Sequence, residues 1–207
     1  SHLKAALEFL KQAAAEGKII LFVGTKKQAQ PIVTAVAKAV GMPYVTNRWL
    51  GGMLTNFTTI RKSLDHLNAL EELITKPQFA ATKKREQKRI TDEIAKLHRA
   101  FDGIKDMTKL PDMLFIVDAK HETTAVGEAN RLGTTTIGTV DSNGDPTKLD
   151  LFIPANDDAP RGLKYLMARV GEAMAEGLGQ PFVLPEELTL DMRAPTLVKK
   201  SRGENDA

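Results

Sequence analysis

The strongest constraint on the fold is an order of segments that the sequence repeats: a helical run, a glycine and then a run of apolar residues. This order occurs at residues 3–23, 32–45 and 123–140, where glycines follow the helical runs at Gly17, Gly41 and Gly133. Glycine just past a helix end adopts the left-handed conformation that other residues resist. The apolar runs do not alternate with polar residues, which is typical of strands buried on both faces of a parallel sheet. The repeat therefore predicts an α/β domain with a mostly parallel sheet between two helical layers.

Two further strands and a last helix complete this domain. Residues 113–117 and 151–153 are short apolar runs. The last helix opens at residues 157–160, with aspartates and a proline in its first turn, and stops at Gly177. Only residues 141–150 separate the last two of the five expected strands. This is short for a parallel crossover, so the direction of the fifth strand stays open at this point.

Between residues 58 and 104 the apolar pattern becomes that of two long helices. The second half steps alternately by four and three residues, as in a heptad seam. The apolar positions are Ile60, Leu64, Leu67, Leu70, Ile74, Ile90, Ile94, Leu97, Phe101 and Ile104. We expect a coiled-coil hairpin at 58–104, inserted into an α/β domain of residues 1–57 and 105–182. Residues 183–207 mix prolines and charges without a sustained period, so we expect an extended or partly disordered tail.

Composition narrows the classes of function. The absence of cysteine excludes disulfides, thiolate nucleophiles and Cys-ligated zinc, and it fits a reducing cytoplasm. No apolar run approaches the roughly 20 residues that cross a bilayer, and no secretory leader opens the sequence. We therefore expect a cytoplasmic protein without a membrane partner. The net charge of +3 and the pI near 9.0 point only weakly to nucleic acid, so the distribution of the charge decides.

Basic residues concentrate on the second half of the hairpin. Residues 83–99 contain seven basic residues and only three acidic ones. The basic residues are Lys83, Lys84, Arg85, Lys88, Arg89, Lys96 and Arg99. Such a run is usually a solvated helix face, but on a projecting element it also suits RNA phosphates. Arg61 and Lys62 extend this surface onto the first arm. Aromatic residues are absent from the basic run, which favours recognition of RNA shape and phosphates over single-stranded sequence.

The loop after the first strand begins at Gly24, where doubly wound folds hold phosphates at the start of a helix. Lys26 and Lys27 lie in this loop, beside backbone N–H groups that suit an RNA phosphate. An exposed loop without a ligand fits the same residues. Neither G-x-G-x-x-G nor G-x-x-x-x-G-K-[ST] is present. A dinucleotide or nucleoside triphosphate site is therefore not expected.

Residues 47–57, with the sequence Asn-Arg-Trp-Leu-Gly-Gly-Met-Leu-Thr-Asn-Phe, form the most unusual stretch, here named the signature segment. We assign its apolar residues, including Trp49, to the core, and its glycine pair to a turn into the hairpin. This assignment gives no role to Arg48, Thr55 and Asn56. Their donors suit phosphate or ribose oxygens, which predicts a contact with RNA.

Acidic residues follow several strands without forming a convincing catalytic set. His121 and Glu122 follow a strand end, but the four histidines do not cluster and no serine lies on a strand-to-helix elbow. A cap or surface role for His121 is favoured. Aspartates in the later loops could converge on one Mg²⁺ or Zn²⁺, although turn formation and helix capping explain them better. These aspartates are Asp141, Asp145, Asp157 and Asp158.

Several of these motifs resemble, in order and spacing, the bacterial-type ribosomal protein S2 family. The signature segment is the most specific of them. The others include Leu-Phe-Val-Gly-Thr-Lys at 21–26, Met-Pro-Tyr-Val at 42–45, Gly-Ile-Lys-Asp-Met at 103–107 and Ile-Pro-Ala-Asn-Asp-Asp at 153–158. The resemblance runs from Lys4 to Gly177. Members usually carry several dozen residues ahead of the first helix, whereas the present sequence begins within or just before that helix at Leu3.

The resemblance implies a flavodoxin-like three-layer fold with a projecting coiled-coil hairpin, and a structural role without enzymatic activity. It also implies binding of 16S-type ribosomal RNA at the head–body junction of the small subunit. Neighbouring small-subunit proteins and the mRNA-recruiting ribosomal protein S1 are the implied protein partners. Arg48, Thr55 and Asn56 fall in the family's signature, and the basic hairpin residues fall on its RNA-facing surface. No cofactor is required, although some members hold a metal that would fall on Asp141 and Asp158.

Two other classes of function compete with an RNA-binding scaffold. A nucleotide or sugar-phosphate enzyme would use the same fold class, but fold analogy does not establish function. A coiled-coil adaptor that binds only proteins would use the hairpin. The signature segment and the basic hairpin favour the scaffold over both.

Overall fold

A computed structural model describes residues 2–141, 144–155 and 159–189 of the chain. Helices and strands alternate along the α/β part, and two long helices interrupt it. The strands are β1 (Ile20–Val23), β2 (Tyr44–Val45), β3 (Met113–Ile116), β4 (Thr135–Val140) and β5 (Leu151–Pro154). The helices are α1 (His2–Ala15), α2 (Gln30–Ala39), α3 (Phe57–Thr75), α4 (Pro77–Ala80), α5 (Lys84–Phe101), α6 (Thr123–Leu132) and α7 (Pro160–Leu178).

The five strands form one parallel sheet in the order β2-β1-β3-β4-β5. This is the flavodoxin-like order of doubly wound folds. The predicted α/β class is confirmed, and the open question about the fifth strand is answered: β5 runs parallel to β4. The short connection returns to the start of β4, where the Asp150 carboxylate accepts hydrogen bonds from the Thr136 backbone N–H at 2.7 Å and its hydroxyl at 3.0 Å.

Each face of the sheet buries its own apolar cluster. On one face α1, α2 and α7 cover side chains such as Phe22 and Phe115. Here α1 and α7 approach so closely that a Cβ on Gly177 would lie 2.1 Å from the Lys11 carbonyl oxygen. Only glycine fits such an approach. The other face, which includes Leu21, lies under α6, the signature segment and the base of the hairpin.

The hairpin emerges from this second core. Its outer part has a small cluster of its own, formed by Leu67, Leu70, Ile90 and Ile94. Its base shares the cluster of the sheet face through Ile60, Leu64, Phe101 and Ile104. The domain boundary expected at 58–104 therefore passes through a common apolar core, because the same seam packs first on the sheet and then between the two helices.

The chain beyond α7 folds back onto the α/β domain. Leu188 is buried, and the Phe182 ring lies so close to Gly171 that a Cβ there would meet it at 2.4 Å. Lys164 Nζ donates to the Thr189 carbonyl oxygen at 3.3 Å. Within the predicted tail, Leu188 and Thr189 thus contact the domain, whereas Val183 and Leu184 are exposed. Residues 190–207 lie outside the described residues. Within the described ranges, no helix is long and apolar enough to span a membrane.

Candidate nucleic-acid interface

The carboxyl ends of β1 and β3 meet at the point where flavodoxin-like folds bind their cofactor. In this chain a carboxylate from the β3–α6 loop fills that place. Glu122, 4% exposed, accepts hydrogen bonds from the Thr25 backbone N–H at 2.7 Å and the Thr25 hydroxyl at 2.6 Å. These are the donors that would otherwise hold a phosphate. Helix α2 begins only at Gln30, with Pro31 in its first turn, as the proline requires.

The two lysines of this loop differ in their surroundings. Lys26 Nζ lies 2.6 Å from a carboxylate oxygen of Asp118, and the two side chains are only 23% and 10% exposed. Asp118 itself adopts a left-handed conformation with φ +62° and accepts a hydrogen bond from the His121 N–H at 3.1 Å. Lys27 is exposed. Of the two lysines predicted to meet RNA, Lys26 therefore has a structural partner that the sequence does not reveal.

Lys26→Ala should destabilise the protein, whereas Lys27→Ala should not. Removal of the Lys26 ammonium leaves the Asp118 carboxylate poorly compensated, at a cost of about 1–3 kcal/mol. For a chain of this size that lowers Tm by about 2–4 °C per kcal/mol. A substitution on the exposed surface changes stability by about 0.5 kcal/mol or less. Thermal unfolding of the two variants side by side measures the difference, and equal melting temperatures would contradict the pairing.

The signature segment is held by Glu128 on α6. Its Oε1 accepts from the Trp49 indole N–H at 3.1 Å and from the Gly52 N–H at 2.7 Å. Its Oε2 accepts from the N–H groups of Leu54 and Thr55, both at 3.0 Å, and from the Thr55 hydroxyl at 3.0 Å. Sequence reasoning did not identify Glu128. The available signal was a carboxylate on a helix face that otherwise buries alanine and valine.

The environment of Glu128 favours its charged form. Burial by itself would raise the pKa of this carboxyl, but the hydrogen bonds from Thr55, Gly52, Trp49 and Leu54 outweigh burial and hold the pKa below its ordinary value of 4.5. A lowered pKa means that the folded state binds the proton less readily than the unfolded chain. The carboxylate therefore stabilises the fold above about pH 4.5, and this stabilisation is lost as the pH falls through the folded-state pKa.

Acidification should change the fluorescence of Trp49, the only tryptophan of the chain. Protonation of Glu128 removes an acceptor from the indole N–H, so the emission should respond at a pH below 4.5. The measurement is an emission spectrum recorded from pH 7 downwards, paired with far-ultraviolet circular dichroism to detect global unfolding. In Glu128→Gln this step should be absent, and a variant that keeps it would contradict the assignment.

The three residues of the signature segment predicted to contact RNA have different surroundings. Thr55 donates its hydroxyl and its N–H to Glu128. The Asn56 side-chain oxygen accepts from the Thr59 hydroxyl at 2.9 Å, at the start of α3. Arg48 is exposed. Next to it, Asn47 Nδ2 donates to the Arg99 carbonyl oxygen at 2.7 Å, which ties the segment to the end of α5.

All seven basic residues predicted on the second arm of the hairpin are exposed. Lys83, Lys84 and Arg85 lie at the start of α5, where the only acidic residue of the first turn is Glu86. The positive end of the helix dipole repels cations at this place. Gln87 Nε2 lies within hydrogen-bonding distance of three carbonyl oxygens at the tip, including that of Phe79 at 3.0 Å, and so ties α5 to the turn between the two arms. The arrangement concentrates positive potential at the end of a projecting element.

Of the two basic residues predicted on the first arm, one has structural partners and the other is exposed, as with the two loop lysines. Arg61 Nη1 donates to the Met107 carbonyl oxygen at 3.0 Å, and its Nη2 pairs with Asp65 at 3.0 Å. Lys62 is exposed. Arg61 thus fixes the base of the hairpin, while Lys62 adds to its exposed charge.

The predicted metal site is only partly within the described residues. Asp141 is half-buried, and Asp158 lies outside the described ranges. Asp145 accepts from the N–H and the hydroxyl of Thr147, which lowers the pKa of its carboxyl and fits the predicted turn. Among the residues that the structure describes, no group of three His, Cys, Asp or Glu side chains could hold a metal ion.

Comparison with known proteins gives one family. The model of the ribosomal protein S2 family matches residues 1–177. The small ribosomal subunit protein uS2 of Dictyoglomus thermophilum is 49% identical over 175 residues, covering 84% of this chain and 71% of that protein. The uS2 proteins of Mycobacterium leprae and Parabacteroides distasonis are 49% and 47% identical over 84% of this chain and 62% of their own length. The chain therefore belongs to the ribosomal protein S2 family, whose members are structural and not enzymatic.

Proposed function

We propose that this chain is a structural constituent of the small ribosomal subunit and binds its 16S-type RNA through the basic hairpin and the neighbouring loops. The observation that carries the proposal is the charge at the start of α5. Three exposed cations, Lys83, Lys84 and Arg85, stand at a helix terminus that disfavours them. A phosphate bound there would accept hydrogen bonds from the N–H groups that begin the helix and would pair with the charges of these side chains.

The other exposed cations extend this surface towards the α/β domain. Lys62, Lys96 and Arg99 continue it along the hairpin, and Arg48 and Lys27 lie on segments of the domain. Membership of the ribosomal protein S2 family supports a place in the small subunit beside other proteins, and a cytoplasmic location. Docking of ribosomal protein S1 is implied only by the resemblance of the sequence motifs to that family. We propose these partners on the family alone.

Sedimentation tests the proposal directly. In a sucrose gradient of a cell lysate, a tagged copy of the chain should migrate with the small subunit. It should move to the top of the gradient after nuclease treatment or at high salt, because phosphate contacts weaken with ionic strength. Migration at the top under all conditions would contradict the proposal, and so would binding to a protein complex that resists nuclease.

We further propose that the chain needs no cofactor, and expect ATP, GTP, NAD and FAD to leave its melting temperature unchanged. Glu122 already occupies the donors of Thr25 at the place where such a ligand would bind. A ligand bound only to the native state at a hundred times its Kd would add about 2.7 kcal/mol. Thermal unfolding with each nucleotide measures this, and a saturable upward shift would revive the enzyme alternative.

A further inference from the structure

The signature segment has no helix or strand of its own between Thr46 and Asn56. Its shape comes from one carboxylate on a different element. The chain turns through Gly52, with φ +91°, and directs its donors inward onto Glu128. Glu128 is 6% exposed, so water is largely excluded from this contact. A segment without regular structure is thereby fixed from α6.

Only an acceptor with no donor of its own suits this position. The two carboxylate oxygens accept hydrogen bonds from four N–H groups and one hydroxyl. The N–H groups are those of the Trp49 indole and of the Gly52, Leu54 and Thr55 backbone, and the hydroxyl is that of Thr55. A charged carboxylate accepts hydrogen bonds at both oxygens and has no donor of its own. A glutamine would turn an NH₂ group towards some of these donors, and an alanine would leave buried N–H groups without a partner.

Both ends of the held segment are exposed. Arg48 directly precedes Trp49 and is exposed, and Asn47 is tied to the end of α5 through the Arg99 carbonyl oxygen. At the other end Asn56 leads directly into α3. The position of the Arg48 guanidinium relative to the basic hairpin thus depends on the segment that Glu128 holds.

We propose that Glu128 is a positioning residue for RNA binding: its carboxylate fixes residues 49–55 and so places Arg48 beside the basic surface of the hairpin. The inference rests on the proposed RNA-binding function. Glu128 is buried and negatively charged, so it does not contact RNA. It acts through Arg48.

The test is a double-mutant cycle on the affinity of the full chain for small-subunit RNA at one salt concentration. Glu128→Gln and Arg48→Ala should each weaken binding about tenfold, the scale of one hydrogen bond to a charged group. The double variant should be less than about twofold weaker than Arg48→Ala alone, because residues that act through one contact are not additive. The emission of Trp49 should shift in Glu128→Gln and stay unchanged in Arg48→Ala.

Val170→Ala is the control for a loss of stability. Val170 is fully buried in the cluster on the opposite face of the sheet, so the substitution should lower Tm and leave the RNA affinity unchanged. If Glu128→Gln does not fold, Trp49→Phe removes the indole donor to Glu128 and keeps an aromatic ring in the core. It should weaken RNA binding in the same non-additive way.

Two results would overturn the positioning role. The first is that Glu128→Gln binds RNA with wild-type affinity although its Trp49 emission is shifted. The second is that the loss of affinity in the double variant equals the product of the losses in the two single variants. A failure of the proposed function looks different, because the wild-type chain itself would then not bind small-subunit RNA. In that case the spectral effect of Glu128→Gln would persist without any effect on affinity.

Discussion

Replacement of residues 58–104 by a short Gly-Ser linker should abolish cooperative unfolding, whereas replacement of residues 70–94 alone should preserve it. The longer deletion removes four side chains from the core on one face of the sheet. Each such loss costs about 2–5 kcal/mol, against a total stability of about 5–15 kcal/mol for a domain. These side chains are Ile60, Leu64, Phe101 and Ile104.

The shorter deletion removes three of the four residues of the outer cluster, which does not pack on the sheet, and keeps Leu67. Leu70, Ile90 and Ile94 pack between the two helices, and Leu97 remains to cover the shortened end. Thermal unfolding followed by circular dichroism should therefore still show one sharp transition. The same variant loses five of the seven basic residues of the second arm and should bind small-subunit RNA far more weakly. A cooperative transition in the longer deletion would mean that the hairpin base is not part of the core.

The local patterns of the sequence predicted the elements but not where the hairpin ends and the core begins. The seam from Ile60 to Ile104 repeats at the same helical spacing whether a side chain packs on the sheet or on the opposite arm. Periodicity reports that a helix face is buried and not what buries it. The boundary between hairpin and domain therefore required the tertiary structure.

The same limit applies to the candidate site. The basic residues of α5 are close together in the sequence, so their exposure on one helix could be predicted from the sequence. Lys26 meets Asp118, 92 positions further along the chain, and the signature segment meets Glu128 from more than 70 positions away. These partners come together only because β1 and β3 are neighbours in the sheet and α6 covers its face. No spacing rule connects them.

Substitution of five basic residues at the hairpin tip by glutamine should weaken RNA binding by orders of magnitude without lowering the melting temperature. Each lost phosphate contact should reduce the slope of log affinity against log salt by about 0.7–0.9, so five contacts should reduce it by about 3.5–4.5. The residues to be replaced are Lys83, Lys84, Arg85, Lys88 and Arg89.

A second variant with the same change in net charge provides the control. It replaces five basic residues on α1 and α7, on the opposite face of the sheet from the hairpin base: Lys4, Lys11, Arg161, Lys164 and Arg169. If only the total charge of the protein matters, the two variants should lose affinity equally. If the hairpin reads the phosphates, the control should keep most of its affinity and nearly all of its salt slope, measured by filter binding between 50 and 200 mM salt.

The stability of the tip variant gives an independent readout. Cations in the first turn of a helix are disfavoured by about 0.3–1 kcal/mol each at low salt. Neutralising Lys84 and Arg85, in the first turn of α5, should therefore raise Tm slightly or leave it unchanged while binding collapses. If these residues served only the fold, their substitution would lower Tm and leave the affinity for RNA unchanged. Equal losses of affinity in the tip and control variants, or a fall in Tm of the tip variant, would remove the hairpin from the RNA-binding surface.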